Sequence, residues 1–178
     1  MGIAYGLPNR VMGELMAKIF ESDNLLKYIY YTGKEYEDVD LFSLERPSTN
    51  ELIDKNIFIG RRIPNLMKKV GAFLDVRVNR YEPLPVSKSK SHLLIKYVEV
   101  DIDIICHVSC QKTLRGTRDI TIAVLLQEIL ENSDLTGIAT NVEITSLTEI
   151  LGLHQDYNGY QLKIKVTGFN QGLYETDN

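Results

Sequence analysis

The chain has 178 residues, 44% of them hydrophobic and 25% charged, with a formal net charge of -4. That length suits one domain with a real core, or one domain with an appendage, and the ordinary apolar and charged fractions argue against a disordered or fibrous chain. The acidic balance argues against a protein whose main task is gripping phosphate backbones.

No stretch approaches the roughly 18 consecutive apolar residues of a membrane span. Met1 to Arg10 carries no basic-then-apolar leader pattern, so the chain reads as soluble and intracellular at synthesis. Cys106 and Cys110 are then thiols in a reducing compartment, and no disulfide framework is implied.

Taken in order, Val11, Met12, Leu15, Met16, Ile19 and Phe20 form an amphipathic helical stripe that starts near Pro8 or Asn9. Ser22 can cap a second short helix through Leu25, Leu26, Tyr28 and Ile29, with Gly33 at its end. Residues 32–56 read as an irregular surface excursion, acidic at Glu35, Glu37, Asp38 and Asp40, with a helical turn over Ser48 to Ile53. Arg61, Arg62, Lys68 and Lys69 then bracket Pro64. They are either a solvated basic face or a patch for an acidic partner.

Ala72 to Tyr81 alternates as a strand, with Leu74, Val76 and Val78 on one side and Asp75, Arg77 and Asn79 on the other. The Pro/Ser/Lys-rich run Glu82 to Ser91 cannot continue it and cannot build a core. It predicts the long tip of a hairpin, with Lys88 and Lys90 protruding.

The next strand organises the chain. Val98, Val100, Ile102, Ile104, Cys106 and Val108 share one parity; Glu99, Asp101, Asp103, Ile105, His107 and Ser109 share the other. One face is apolar and the other begins strongly acidic. After a polar turn the period becomes helical, with Ile122, Leu125, Leu126 and Ile129 as the stripe and Ile120, Val124 and Leu130 widening it. Thr117 can cap this helix and Asp119 complements its dipole; Arg115 and Arg118 do not, and so call for acids elsewhere, in this subunit or a neighbour.

Val142 and Ile144 open a further strand running unevenly toward His154. Asn158-Gly159 has the turn chemistry of a tight hairpin. Tyr160, Leu162, Ile164 and Val166 then alternate with polar residues, and residues 168–178 read as a loose tail. The expected architecture is a single α+β domain over 1–178, with an antiparallel sheet of about four strands, a helix on one face and an N-terminal helical segment.

Glu99, Asp101 and Asp103 lie about 7 Å apart along one face. Three readings are open. Lys163, Lys165 or Arg77 compensates them from neighbouring strands; or the face stays acidic and lines a surface that repels phosphates; or it is a metal or acid/base site, for which no second carboxylate cluster is visible. On an extended strand Cys106 and Cys110 would stand about 13 Å apart with His107 on the other face, so core thiols are expected and no zinc site. His92 and His154 have no partner at a fixed spacing. Phosphate-loop, dinucleotide, serine-hydrolase and metalloprotease motifs are absent, and no catalytic residue, cofactor or metal is assigned.

The helical run Val11 to Phe20, the hairpin with its Pro/Ser/Lys tip, and Val98-Glu99-Val100-Asp101-Ile102-Asp103-Ile104 leading through Arg115-Gly116-Thr117-Arg118-Asp119 into the following helix make a recognisable order. In that order the chain resembles tail terminators, the tail-completion (neck) proteins of long-tailed bacteriophages. It departs from them in its greater length and in residues 32–56. The resemblance implies a ring, usually sixfold, that caps the tail tube, joins it to the head connector or stopper proteins and passes DNA through its lumen without specific binding. It implies a virion protein assembled in the host cytoplasm, with no membrane partner. Glu99, Asp101 and Asp103 would face the lumen. Arg61, Arg62, Lys68, Lys69, Lys88, Lys90, Arg115 and Arg118 would meet neighbouring subunits or partners. The rival readings are another neck component, such as a head-completion or connector protein, and a small-ligand binder or enzyme using the carboxylate face.

Overall fold

The computed structural model describes residues 3–60, 69–83, 95–131, 133–135, 137–151 and 153–169. Helices α1 (Ile3–Glu21) and α2 (Asp23–Tyr30) come first, then a short helix α3 (Thr49–Leu52). The strands are β1 (Ile57–Ile59), β2 (Ala72–Pro83), β3 (Ile95–His107), the two-residue β4 (Lys112–Thr113) and β5 (Gly116–Thr117), β6 (Ala139–Glu149) and β7 (Tyr157–Phe169). Helix α4 (Arg118–Leu130) lies between β5 and β6.

The main sheet has the order β1-β2-β3-β7-β6, antiparallel except that β1 runs parallel to β2. The α+β expectation holds, with a fifth strand in place of four. Ile57–Ile59 is only three residues long, too short for any period to mark it.

Period two on β3 sets the core. Val98, Val100, Ile102, Ile104 and Cys106 are all fully buried and pack against the helices. Burying each of the aliphatic four contributes about 1.5–3 kcal/mol. Val11, Leu15 and Ile19 of α1, Leu25, Leu26 and Ile29 of α2, and Ile122 and Leu126 of α4 meet them from the same side. α1 and α2 lie over β2, and α4 spans β3, β7 and β6.

Local features depart from expectation where packing overrides pattern. α1 starts at Ile3 and runs through Pro8, whose ring nitrogen leaves the Ala4 carbonyl without a helical donor. Leu7 is buried, which holds that turn in place. Ser22 does cap α2, accepting from Leu25 N at 3.4 Å, but the helix closes at Tyr31, and Gly33 has an ordinary negative φ. On α4, Ile120 and Val124 stay 49% and 43% exposed, while Ala123 takes the buried position beside Ile122. Thr117 sits at the N-cap position without a side-chain cap bond.

The stretch 32–56 is tied down rather than loose. Its two single turns, Lys34–Tyr36 and Leu41–Ser43, and α3 bring Leu41 and Leu52 into the core. Ser48 and Glu51 form a capping box at α3.

Asn158-Gly159 is no turn; both residues lie inside β7, opposite Cys106 and Ile105. The chain reverses earlier, between Glu149 and Tyr157. The expected tail begins later too, because β7 continues through Gly168 (φ 72°) to Phe169. The β2–β3 pairing is the expected hairpin; its tip, with Lys88 and Lys90, and the 170–178 tail lie outside the described residues.

Candidate functional site

The other face of the sheet carries the charged residues. On β2–β3 the register sets Asp75 opposite Asp103 and Arg77 opposite Asp101; on β3–β7 it sets Asp101 opposite Lys163, Glu99 opposite Lys165 and Asp103 opposite Gln161. Cross-strand neighbours on one face are close enough to interact, so two facing carboxylates need a cation. Arg77 supplies it. Its Nη1 reaches Asp75 Oδ2 at 2.8 Å and its Nη2 reaches Asp103 Oδ2 at 2.7 Å. Gln161 Nε2 donates to the second Asp103 oxygen at 2.8 Å, and Asn79 Nδ2 donates to Asp101 at 3.4 Å.

The central members are deep for an open sheet face. Asp75 is 1% exposed and Asp101 6%. Burial pushes the Asp101 carboxyl above its usual range, with Lys163 and Arg77 pulling the other way. Burial also works against the Arg77 guanidinium, but Asp103 and Asp75 outweigh it and raise its pKa. Farther along, Lys165 Nζ sits 4.8 Å from the centre of the Tyr97 ring. The compensated reading of the acidic row is therefore the one the register produces.

The near end of this face is apolar. Phe58, Phe73, Ile105 and Tyr157 form a second small cluster, flanked by Ile150 and Leu153. His107 stands edge-on to Tyr157, ring centres 5.1 Å apart, and the Tyr157 hydroxyl donates to the Lys69 carbonyl at 2.9 Å. His107 Nδ1 lies 2.8 Å from the Ser109 hydroxyl and accepts from Ser109 N at 3.2 Å. That contact caps the single turn Val108–Cys110, which ends β3. A histidine nitrogen already holding a backbone N–H is a cap, not a base poised to activate that serine.

The turn also changes the cysteine geometry, since the strand spacing applied to Cys106 and Cys110 stops at His107. Both thiols are free and buried, and burial raises both pKa values, so they stay protonated and unreactive. Among the described residues no group of three or more His, Cys, Asp or Glu is placed to hold a metal ion. His154, expected to lack a partner, lies 3.2 Å from Asp156 in the exposed β6–β7 connection.

The proposed contact residues fall in different places. Arg61, Arg62, Lys68, Lys88 and Lys90 lie outside the described residues, and Lys69 is exposed. Arg115 grips Asp40 with two bonds of 3.2 and 3.0 Å and stacks on Phe42 at 4.3 Å. Lys112 pairs with Glu37 and Asp38. Glu37, Asp38 and Asp40 thus find cations in the same chain.

Arg118 corrects the expectation most sharply. It is 1% exposed, sits inside the subunit and bonds to the carbonyls of Cys110 and Tyr28 instead of to an acid. A residue so placed cannot meet a neighbouring subunit. Nothing in its local sequence separates it from Arg115; only the packing of α2 on α4 does.

A protein-family model described as YomW matches residues 22–166. The match takes in α2, the whole charged face and Arg118, and YomW is a phage-type family. No curated protein matches the chain. Among the described residues no helix is long and apolar enough to cross a membrane.

Proposed function

The chain belongs to the YomW family, and from that premise we propose that it is a structural virion protein, a ring at the head-proximal end of a phage tail. It caps the tail tube, joins it to the head connector and leaves a lumen for DNA. The observation that carries this reading is the charge-compensated face of the sheet. Glu99 lies opposite Lys165 and Asp101 opposite Lys163 and Arg77 in register, and Arg77 also bridges Asp103 from the neighbouring position, so the row is spent on holding strands together.

Such a face suits a lumen wall. Asp75, Glu99, Asp101, Asp103 and Glu143 are interleaved with Arg77, Arg80, Lys163 and Lys165, five carboxylates against four cations. Passing phosphates meet fixed charges of both signs and are neither gripped nor strongly repelled. The work is mechanical and makes no bonds. Its partners are further copies of the chain, in a sixfold ring, with tail-tube protein below and connector or stopper protein above. A head-completion or connector role elsewhere in the neck asks the same of this face and differs only in which partner the ring meets.

Light scattering followed by negative-stain imaging tests the reading. Rings with a central hole that bind the ends of tail tubes are expected. Turnover of a small molecule that disappears in Asp101→Ala and Asp103→Ala would overturn it. Rings that bind connector but not tube would move the protein to the other side of the neck.

A further inference from the structure

β6 is the open edge of the sheet. It is eleven residues long and pairs on one side only, with β7. Among the described residues, backbone hydrogen bonds outside that ladder reach it only at Ala139, from Leu135. A long unpaired edge is a template for another strand, and β6 holds no Lys, Arg or Pro to guard it. The opposite edge, β1, has three residues, and its Ile57 carbonyl already accepts from Asp54 N at 2.9 Å.

The ladder shows which backbone groups of β6 point outward. The Lys163 carbonyl accepts from Thr145 Oγ1 at 3.2 Å, and the Gly159 carbonyl accepts from Ile150 N at 2.9 Å. Backbone groups turn to alternate sides along a strand, so the odd-numbered residues of β7 face β6. Glu143, Ser146 and Thr148 lie opposite Lys165, Lys163 and Gln161 in register and face inward. Val142, Ile144, Leu147 and Glu149 therefore turn N–H and C=O to the open side. The parity changes between Ile144 and Ser146 because Thr145 is an extra residue, a bulge.

That change makes the edge self-complementary. A second β6 can lie antiparallel to the first, with the two-fold axis between Thr145 and Ser146. Val142 then falls opposite Glu149 of the second copy and Ile144 opposite Leu147, each pair occurring twice. Every one of these outward groups meets another outward group. The side chains agree. Ile144 and Leu147 lie on the helix side, opposite Ile164 and Leu162. Leu147 is 38% exposed and Ile144 half-buried, and the pairing brings the two together. Glu143 and Glu149 lie on opposite faces and meet Thr148 and Val142, so no like charges stand opposite. A bulge usually turns an edge away from partners, but this one sits at the axis, where both copies turn through it alike.

We propose that β6 pairs antiparallel with β6 of a second copy, joining two five-stranded sheets into one. The contact is isologous, so it closes on a pair and does not propagate. It is independent of the ring reading, whose head-to-tail contact needs another surface.

Co-expressing two full-length variants, Glu143→Cys and Thr148→Cys, and oxidising the purified protein tests it. Both positions are exposed, and across the axis they form a pair with Cα atoms about 4.5 Å apart, within disulfide reach. Each position stands about 17 Å from its own copy, so either variant alone should not cross-link. Cys106 and Cys110 are buried and do not compete. A disulfide-linked dimer is expected only from the pair of variants. Adding Leu147→Lys to both sets a charge against Ile144 of the other copy and should cut the yield about tenfold. No dimer from the pair, equal yields from the single variants, or indifference to Leu147→Lys overturns the pairing. Rings without the cross-link overturn it too and leave the ring reading standing. A cross-linked pair without rings supports the pairing and counts against the ring alone.

Discussion

Arg118 and Tyr28, 90 residues apart in sequence, are joined by a 2.5 Å hydrogen bond from the guanidinium Nη1 to the tyrosine carbonyl. The same guanidinium donates from Nε to the Cys110 carbonyl at 2.6 Å and lies 5.8 Å from the Tyr28 ring centre. Tyr28 is in the last turn of α2, where carbonyls lack helical donors and a cation is favoured. One buried side chain therefore ties the end of α2, the turn after β3 and the start of α4. Arg118→Met keeps most of the volume but leaves two buried carbonyls without this donor. A loss of about 2–4 kcal/mol in urea unfolding is expected. A loss below about 1 kcal/mol would show that these carbonyls find water or other donors.

Gly159 shows a different dependence. A Cβ there would stand 2.8 Å from the Ile104 carbonyl oxygen and 2.8 Å from Leu153 Cδ1. One of these atoms is backbone in the central strand and cannot swing away. Gly159→Ala should cost about 1–3 kcal/mol through displaced strands, seen as a lowered Tm. An unchanged Tm would mean that β7 can move away from β3 at little cost.

That glycine also shows where the sequence is legible. Strict alternation on β3 and β7, and the helical spacing in α4, reveal the faces because burial selects apolar side chains at each period. The same logic places Glu99, Asp101 and Asp103 on one face and offers Arg77, Lys163 and Lys165 as partners. It fails at Asn158-Gly159, where turn chemistry and close strand packing demand the same residue for different reasons. It fails again at Arg118, because a guanidinium bound to the Tyr28 carbonyl, 90 residues away, leaves no local trace. β1 is too short for a pattern, and the docking of 32–56 rests on two leucines and a few long-range ion pairs.

The Arg115–Asp40 pair makes that docking testable. Both side chains are largely solvated, 48% and 39% exposed, so global stability should barely depend on them. Their role is to hold the turn Leu41–Ser43 against the β4–β5 hairpin. Arg115→Ala should leave Tm unchanged and speed proteolysis between Lys34 and Leu44. The Arg115 hydrogen bond lowers the Asp40 pKa, so the pair is intact above the usual carboxylate range and is lost as pH falls through the folded value. The wild-type protein in acid should therefore acquire the cleavage rate of the variant. Equal cleavage of both proteins at neutral pH would remove the pair from any docking role.

Asp101 should give the opposite pH signature. Burial raises its pKa, with Lys163 and Arg77 only partly offsetting the shift. A carboxyl that binds its proton more tightly when folded favours the folded state below its unfolded pKa, and that contribution disappears as pH rises through the folded value. The wild-type protein should thus lose some stability on going from the ordinary carboxylate pKa upward, before it levels off. Asp101→Asn keeps an acceptor for Asn79 and removes the ionisation, so its unfolding free energy should lack that decline. Because Lys163 then loses its counter-charge, the variant should also become more sensitive to salt at neutral pH. Urea midpoints across this pH window, compared between the two proteins, decide the matter. If the curves run parallel, Asp101 does not titrate differently on folding, and its carboxylate is held by its cations as firmly as water holds it in the unfolded chain.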